Sequence, residues 1–362
     1  MRALWFVVFL ALVGSCSGSS IEQDSSAVAD SSAPDAGTDL LAQDLAQDVA
    51  IVDGPIADLP LPDVLPDSIS PDLQFPDLTS SDLLLGFDSG PLAGIKFVTI
   101  SPGIFSMGAP PTETCYGSQP FVTAGKETQH SVRLSNGFEI MTTEVTVRHF
   151  LSEMGYDPVS VGSVCAANDC PVRYITWHEA AAFCNKLSAK KGYAQCYACT
   201  GTGAAVNCSE AAAYGGVNVY RCPGYRLPTE AEFEYAYRAG TSTALYNGSI
   251  SNCMASDPNA DLIAWYHSNS GNQPHPVAQK QPNSWGLYDM AGNVYEYCHD
   301  RFEDDLGSAA ATDPWGSATS NERVLRGGSY YFVVKTVRAA HRCWVAPNTT
   351  SYSDGFRVAR TK

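Results

Sequence analysis

Basic residues are almost missing from the first quarter of this chain. Residues 17–92 hold no lysine or arginine, against fourteen aspartates and Glu22. The net charge of −16 over 362 residues is therefore unevenly placed. Of 22 basic residues only Arg2 precedes residue 93, so the remainder is close to neutral. No basic patch or basic helix is left to face nucleic acid. Long apolar runs are missing too. Ala3–Val13 is apolar but far short of the roughly 20 residues that span a bilayer, and no other stretch is long enough. Histidines are few, seven in all, and none stands in an H-E-x-x-H pattern. A G-x-S-x-G elbow, a P-loop and a dinucleotide fingerprint are absent as well.

The N-terminus reads as an export signal. Arg2 supplies the positive end and Ala3–Val13 the short apolar run. Val13-Gly14-Ser15-Cys16 resembles a bacterial lipobox, with small residues before a cysteine. Residues 1–16 are thus expected to be a lipoprotein signal peptide, with Cys16 the lipidated residue. An ordinary cleaved leader is the plainer alternative. The expected location is the cell envelope, lipid-anchored in a bacterial membrane and facing periplasm or exterior. Residues 17–92 repeat Asp every four or five positions, often after Pro: Pro62-Asp63, Pro66-Asp67, Pro71-Asp72 and Pro76-Asp77. Proline density and one-sign charge oppose a packed core. The segment reads as a tether, reaching roughly 50 Å as a coil.

Residues 93–362 carry the folding signals. Short strands are expected at Phe97–Ile100 and Ile104–Met107. Ser131–Ser135 and Phe138–Met141 flank Asn136-Gly137, which predicts a hairpin. Thr146 caps a helix to Met154 with Phe150, Leu151 and Met154 on one face and Gly155 as its stop. Thr176 with Glu179, and Thr229 with Glu232, have capping-box spacing. They start helices from Trp177 to Lys191 and up to Gly240. Later strands are expected at Val324–Arg326 and Phe356–Ala359. Glu230, Glu232 and Glu234 read as helix-start charges rather than catalysts.

Twelve cysteines fit an oxidising compartment. If Cys16 is lipidated, eleven remain and at least one stays unpaired. Cys165 and Cys170 bracket a small loop. An insert at residues 193–223 reads C-x2-C-x8-C-x13-C, with Cys196, Cys199, Cys208 and Cys222. Zinc is one reading of it. Disulfides are favoured, because only one C-x-x-C pair is present and the protein reads as exported. The connectivity stays open.

Asn283–Asp300, N-S-W-G-L-Y-D-M-A-G-N-V-Y-E-Y-C-H-D, stands out. It combines aromatics, two glycines and the carboxylates Asp289 and Glu296. Neither a helical nor a strand pattern fits it, so it reads as an ordered loop presenting oxygens. Within it, G-L-Y-D-M-A-G-N-V-Y-E-Y resembles the signature of the formylglycine-generating enzyme family, the sulfatase-modifying factors. Further segments match in order: Phe97–Gly108, T-E-V-T at Thr143–Thr146, Tyr225–Gly240, R-V-L-R-G-G-S-Y at Arg323–Tyr330, and G-F-R-V-A-R at Gly355–Arg360. The resemblance implies an α+β, sulfatase-modifying-factor (C-type-lectin-like) fold with little regular secondary structure.

The resemblance also implies a structural calcium site at Asp289, Gly292, Val294 and Glu296. Two carboxylates and two backbone carbonyls would supply the oxygens that calcium prefers. Asp289 stands where the family has Asn. A loop braced without metal is the alternative. The family's oxidase holds copper(I) between two cysteines after R-G-G-S-Y and converts a sulfatase cysteine to formylglycine. Here Phe332 takes the first cysteine's position, and the second falls in a shortened, cysteine-free loop at Val334–Val337. Copper is not expected, and no catalytic residue is assigned. Cys343, with help from His341, is the one remaining thiol near that position. Ser329 matches a serine beside the family's active site, and Tyr295 replaces a tryptophan. Both are pocket candidates. The expected role is binding of an unknown ligand or protein, or scaffolding. The rival is a true or altered formylglycine-generating oxidase.

Overall fold

The computed structural model describes residues 94–117, 125–159 and 169–362. The proposed leader, Cys16, the acidic tether and Cys165 lie outside them. The first strands form two diverging pairs. β1 (Phe97–Ile100) pairs antiparallel with β4 (Phe138–Met141), while β2 (Gly103–Met107) pairs with β3 (His130–Leu134). The expected hairpin at Asn136-Gly137 is therefore not formed. Its two strands exist but belong to different sheets, and neither turn residue takes a positive φ. Gly137 serves another purpose: a Cβ there would sit 3.1 Å from the Ile100 carbonyl.

The helices follow their local signals. Thr146 and Gly155 bound α1 (Val147–Met154), with Gly155 at φ 84°. Val147 and Phe150 are its buried residues, whereas Leu151 faces outward at 38% exposure. Both capping boxes form, at the start of α2 (Trp177–Lys190) and of α3 (Glu230–Arg238). A fourth helix, α4 (Pro258–Ile263), is capped by Asp257.

The insert folds as β5 (Tyr197–Thr200) against β6 (Asn207–Glu210). Cys199–Cys208 crosses this pair and Cys196–Cys222 ties it down. The disulfide reading of the insert therefore holds over zinc. Cys115–Cys253 is a third bridge, and Cys170 and Cys343 are also disulfide-bonded. Cys184 and Cys298 are free and buried.

The central strand is β7 (Tyr295–Arg301). This corrects the reading of residues 283–300 as one loop. Its strand period is hidden because six of its seven residues are buried, on both faces. β8 (Ala311–Thr312) joins the β2–β3 sheet. β7 lies between β9 (Arg323–Arg326) and the short parallel β11 (Asp354–Gly355), with β10 (Cys343–Val345) at the edge. β12 (Ala359–Thr361) closes the β1–β4 sheet. The strand expected at Phe356–Ala359 does not form: Phe356–Val358 lie between β11 and β12, and only Ala359 is in a strand. Among the described residues no helix is long and apolar enough to cross a membrane.

Candidate functional site

The turn before β7 is shaped by left-handed backbone. Asp289, Gly292 and Asn293 sit at φ 53°, 77° and 59°. Asp and Asn tolerate this region through local hydrogen bonding. Gly292 is needed for space as well, because a Cβ there would lie 2.3 Å from the Trp265 carbonyl oxygen. Glu144, from the T-E-V-T segment, holds the turn. Its Oε1 accepts from Val294 N at 3.0 Å and its Oε2 from Asn293 Nδ2 at 2.7 Å. Asp289 Oδ2 accepts from Ala278 N at 2.7 Å. Glu296 gives both oxygens to Arg357, each at 2.7 Å.

Three carboxyls thus surround one guanidinium, and all four side chains are buried. Burial pushes Asp289 up to about 6. Glu144 is raised by burial and then by the charges of Asp289 and Glu296. Burial also raises Glu296, against the pull of Arg357. The charge of this cluster suits a cation. The donors suit one less well, since Glu296 is already committed to Arg357. Among the described residues no three His, Cys, Asp or Glu side chains are spaced to hold a metal. Of the expected calcium set, Asp289, Gly292 and Val294 lie in the turn and Glu296 in β7, and Gly292 and Val294 offer only backbone. Glu144 and Arg357 were missed, although both lie within the matching motifs.

The second region surrounds Phe332. Its ring centroid is 5.5 Å from that of Tyr295, whose Oη lies 3.1 Å from His341 Nε2. Burial, with Arg338 and Arg326 nearby, holds His341 well below the usual histidine range, so the imidazole is neutral. Val334–Val337 form a buried 3-10 turn. Tyr295 and Ser329 are fully buried. Ser329 Oγ accepts from Tyr331 N at 3.4 Å, which braces the chain under Tyr331. Tyr331 is the outward residue, 46% exposed, with its ring 4.8 Å from that of Tyr352. Cys343 is disulfide-bonded and so has no free thiolate to pair with His341. Cys298 is free, but burial raises its thiol far above the reactive range.

Glu230 and Glu232 sit in the first turn of α3, as expected of helix-start charges, but all three acids of this helix are buried. Glu230 pairs with Arg342, Glu232 with Arg226, and Glu234 with Arg238 and Arg326, all buried. Their partners lie up to 112 residues away, beyond the reach of local pattern reading.

The model of the sulfatase-modifying factor enzyme 1-like domain matches residues 91–362. The chain belongs to the sulfatase-modifying factor family. Its relatives include chaperone protein LppX of Paenibacillus barcinonensis, 29% identical over 64% of this chain and 82% of that protein. The formylglycine-generating enzyme of Streptomyces coelicolor is 36% identical over 42% of this chain and 51% of its own length. This family member therefore spans about half of that enzyme. Among solved structures, Treponema denticola variable protein 1 is similar at a TM-score of 0.61 and 29% identity, covering 74% of this chain and 95% of that one. PvdO from Pseudomonas aeruginosa, at 23% identity and TM-score 0.54, supports the fold alone. The α+β, C-type-lectin-like fold expected from sequence is the fold of this family.

Proposed function

We propose that this chain is an exported, membrane-tethered member of the family that binds a ligand or partner and does not carry out the oxidase reaction. One observation carries the reading. Counted from R-G-G-S-Y by the family resemblance, Phe332 falls at the position of one copper-binding cysteine, and the other falls in the cysteine-free turn Val334–Val337. Copper(I) needs soft thiolate ligands, and phenylalanine offers none. The Cys343 disulfide leaves no substitute beside His341. The relative named chaperone protein LppX favours a non-catalytic role as well, since a chaperone acts by binding.

The Cys115–Cys253, Cys196–Cys222 and Cys199–Cys208 bridges, with Cys170 and Cys343 also disulfide-bonded, support export, and the lipobox at Cys16 supports the anchor. Residues 93–362 would then form the binding domain and residues 17–92 the tether. The proposed calcium site stays with Asp289 and the Gly292 and Val294 carbonyls, because buried carboxyls outnumber the single guanidinium of Arg357. The rival oxidase reading draws on the identity to the Streptomyces enzyme. A copper(I) titration against a chelating competitor separates the two. The binding reading expects no tight copper. Stoichiometric copper retained by the purified protein would favour the oxidase.

A further inference from the structure

Eight arginines are buried among the described residues. Seven of them form an ion pair with a glutamate. Arg173 is the eighth. It is 6% exposed, meets no carboxylate among the described residues, and its Nε and Nη1 have no hydrogen-bond acceptor. A guanidinium left buried in this state opposes folding. Its backbone is firmly placed all the same. Val172 N donates to the Val145 carbonyl, and Tyr174 N to that of Ser351, both at 2.8 Å.

Arg173 lies beside a tyrosine. Its guanidinium carbon lies 5.6 Å from the Tyr174 ring centroid. Tyr174 is 42% exposed and held at φ 60°, a strained position for an aromatic residue. The charge of Arg173 reaches the buried phenol of Tyr330, whose Oη donates to the Tyr352 carbonyl at 3.1 Å. Exposed Tyr331 stands beside Tyr352. Asp354 is the acid on this face, and its Oδ2 also lacks a partner. Burial pushes that carboxyl up to about 7, so it does not cancel the cation below neutral pH.

We propose that Arg173 is the anion anchor of a binding face built with Tyr174, Tyr330, Tyr331 and Tyr352, and that its ligand is an acidic sugar, a uronate. The inference rests on the binding reading of this region and names its ligand class. One unpaired guanidinium matches one carboxylate, which it recognises through planar N–H donors. Phenol rings offer apolar faces to sugar C–H groups, and their hydroxyls both donate and accept.

The test is calorimetric titration of the full chain with D-glucuronate, D-glucose and an aspartate-rich hexapeptide, on the natural protein and on Arg173→Met and Arg173→Lys. Glucuronate should bind at least tenfold more tightly than glucose. Arg173→Met should lose that preference while melting no lower than the natural protein, because it removes an uncompensated charge. Arg173→Lys should keep part of it. The proposal is overturned if Arg173→Met retains glucuronate affinity or melts lower. It is also overturned if the three probes bind alike, if the peptide binds more tightly, or if no probe binds. These failures are distinct from failure of the binding reading, which would appear as copper retention and aldehyde formation.

Discussion

Arg357 holds Glu296 through both carboxylate oxygens, Nε to Oε2 and Nη2 to Oε1, each at 2.7 Å. The pair joins the last matching motif of the chain to its central strand. The same Nη2 donates to the carbonyls of Tyr288 and Asp289 at 3.0 Å, so one side chain also fixes the entry to the turn.

Removing Arg357 should therefore cost more than removing Glu296. Arg357→Met strands three buried carboxyls and is expected to lose about 3–5 kcal/mol. Glu296→Gln should lose less, because Glu144 and Asp289 still oppose the guanidinium. Urea unfolding measures both, and the reverse order would contradict the assignment of Arg357 as the sole counter-charge.

Chelation tests the calcium proposal. A ligand bound only by the folded state adds about 2.7 kcal/mol at a hundredfold excess over its dissociation constant. A chelator should lower the melting temperature of metal-loaded protein but not of Asp289→Ala. Asp289 is the sharper choice, since both oxygens of Glu296 are occupied by Arg357. Identical melts with and without chelator would count against the metal.

Asp354 should make stability fall with pH. Its carboxyl is raised by burial from 3.8 to about 7 in the folded chain. Between those values the folded state binds more protons than the unfolded one, so stability declines as pH rises and levels off above 7. Asp354→Asn should remove this slope, and its melting temperature should exceed that of the natural protein most at pH 8. Parallel curves for the two proteins would refute it.

Much of the local structure was legible in the chain. Thr176 with Glu179 and Thr229 with Glu232 announce helices because a capping box is complete within four residues. What depended on distant partners was not. Asn136-Gly137 looks like a hairpin turn, yet β3 and β4 find their neighbours in β2 and β1. Glu230, Glu232 and Glu234 read as helix-start charges, and only the fold supplies their buried arginine partners. Tyr295–Arg301 hides its period because both faces are buried. Glu144 and Arg357 stood in recognised motifs, but only the fold shows that they meet at one turn. Nothing in the sequence distinguishes Arg173 from the seven paired arginines.

The proposed membrane anchor makes Cys16 its attachment point. A lipobox lipoprotein carries more than one acyl chain, the condition for stable anchoring. Cys16→Ser should release the protein from the membrane fraction. Mass spectrometry that finds an unmodified mature N-terminus elsewhere would contradict the anchor.

The most direct test of a binding role is turnover. The full chain is incubated with a cysteine-bearing sulfatase-type peptide, copper(I) and oxygen, and the peptide is read by mass spectrometry for the aldehyde. On the proposed match of Phe332 and the cysteine-free Val334–Val337 turn to the thiolate pair, the peptide should return unchanged. Phe332→Cys alone should not rescue the reaction, because the second thiol is missing too. Catalytic formation of formylglycine by the natural protein, abolished by chelating copper, would contradict the account.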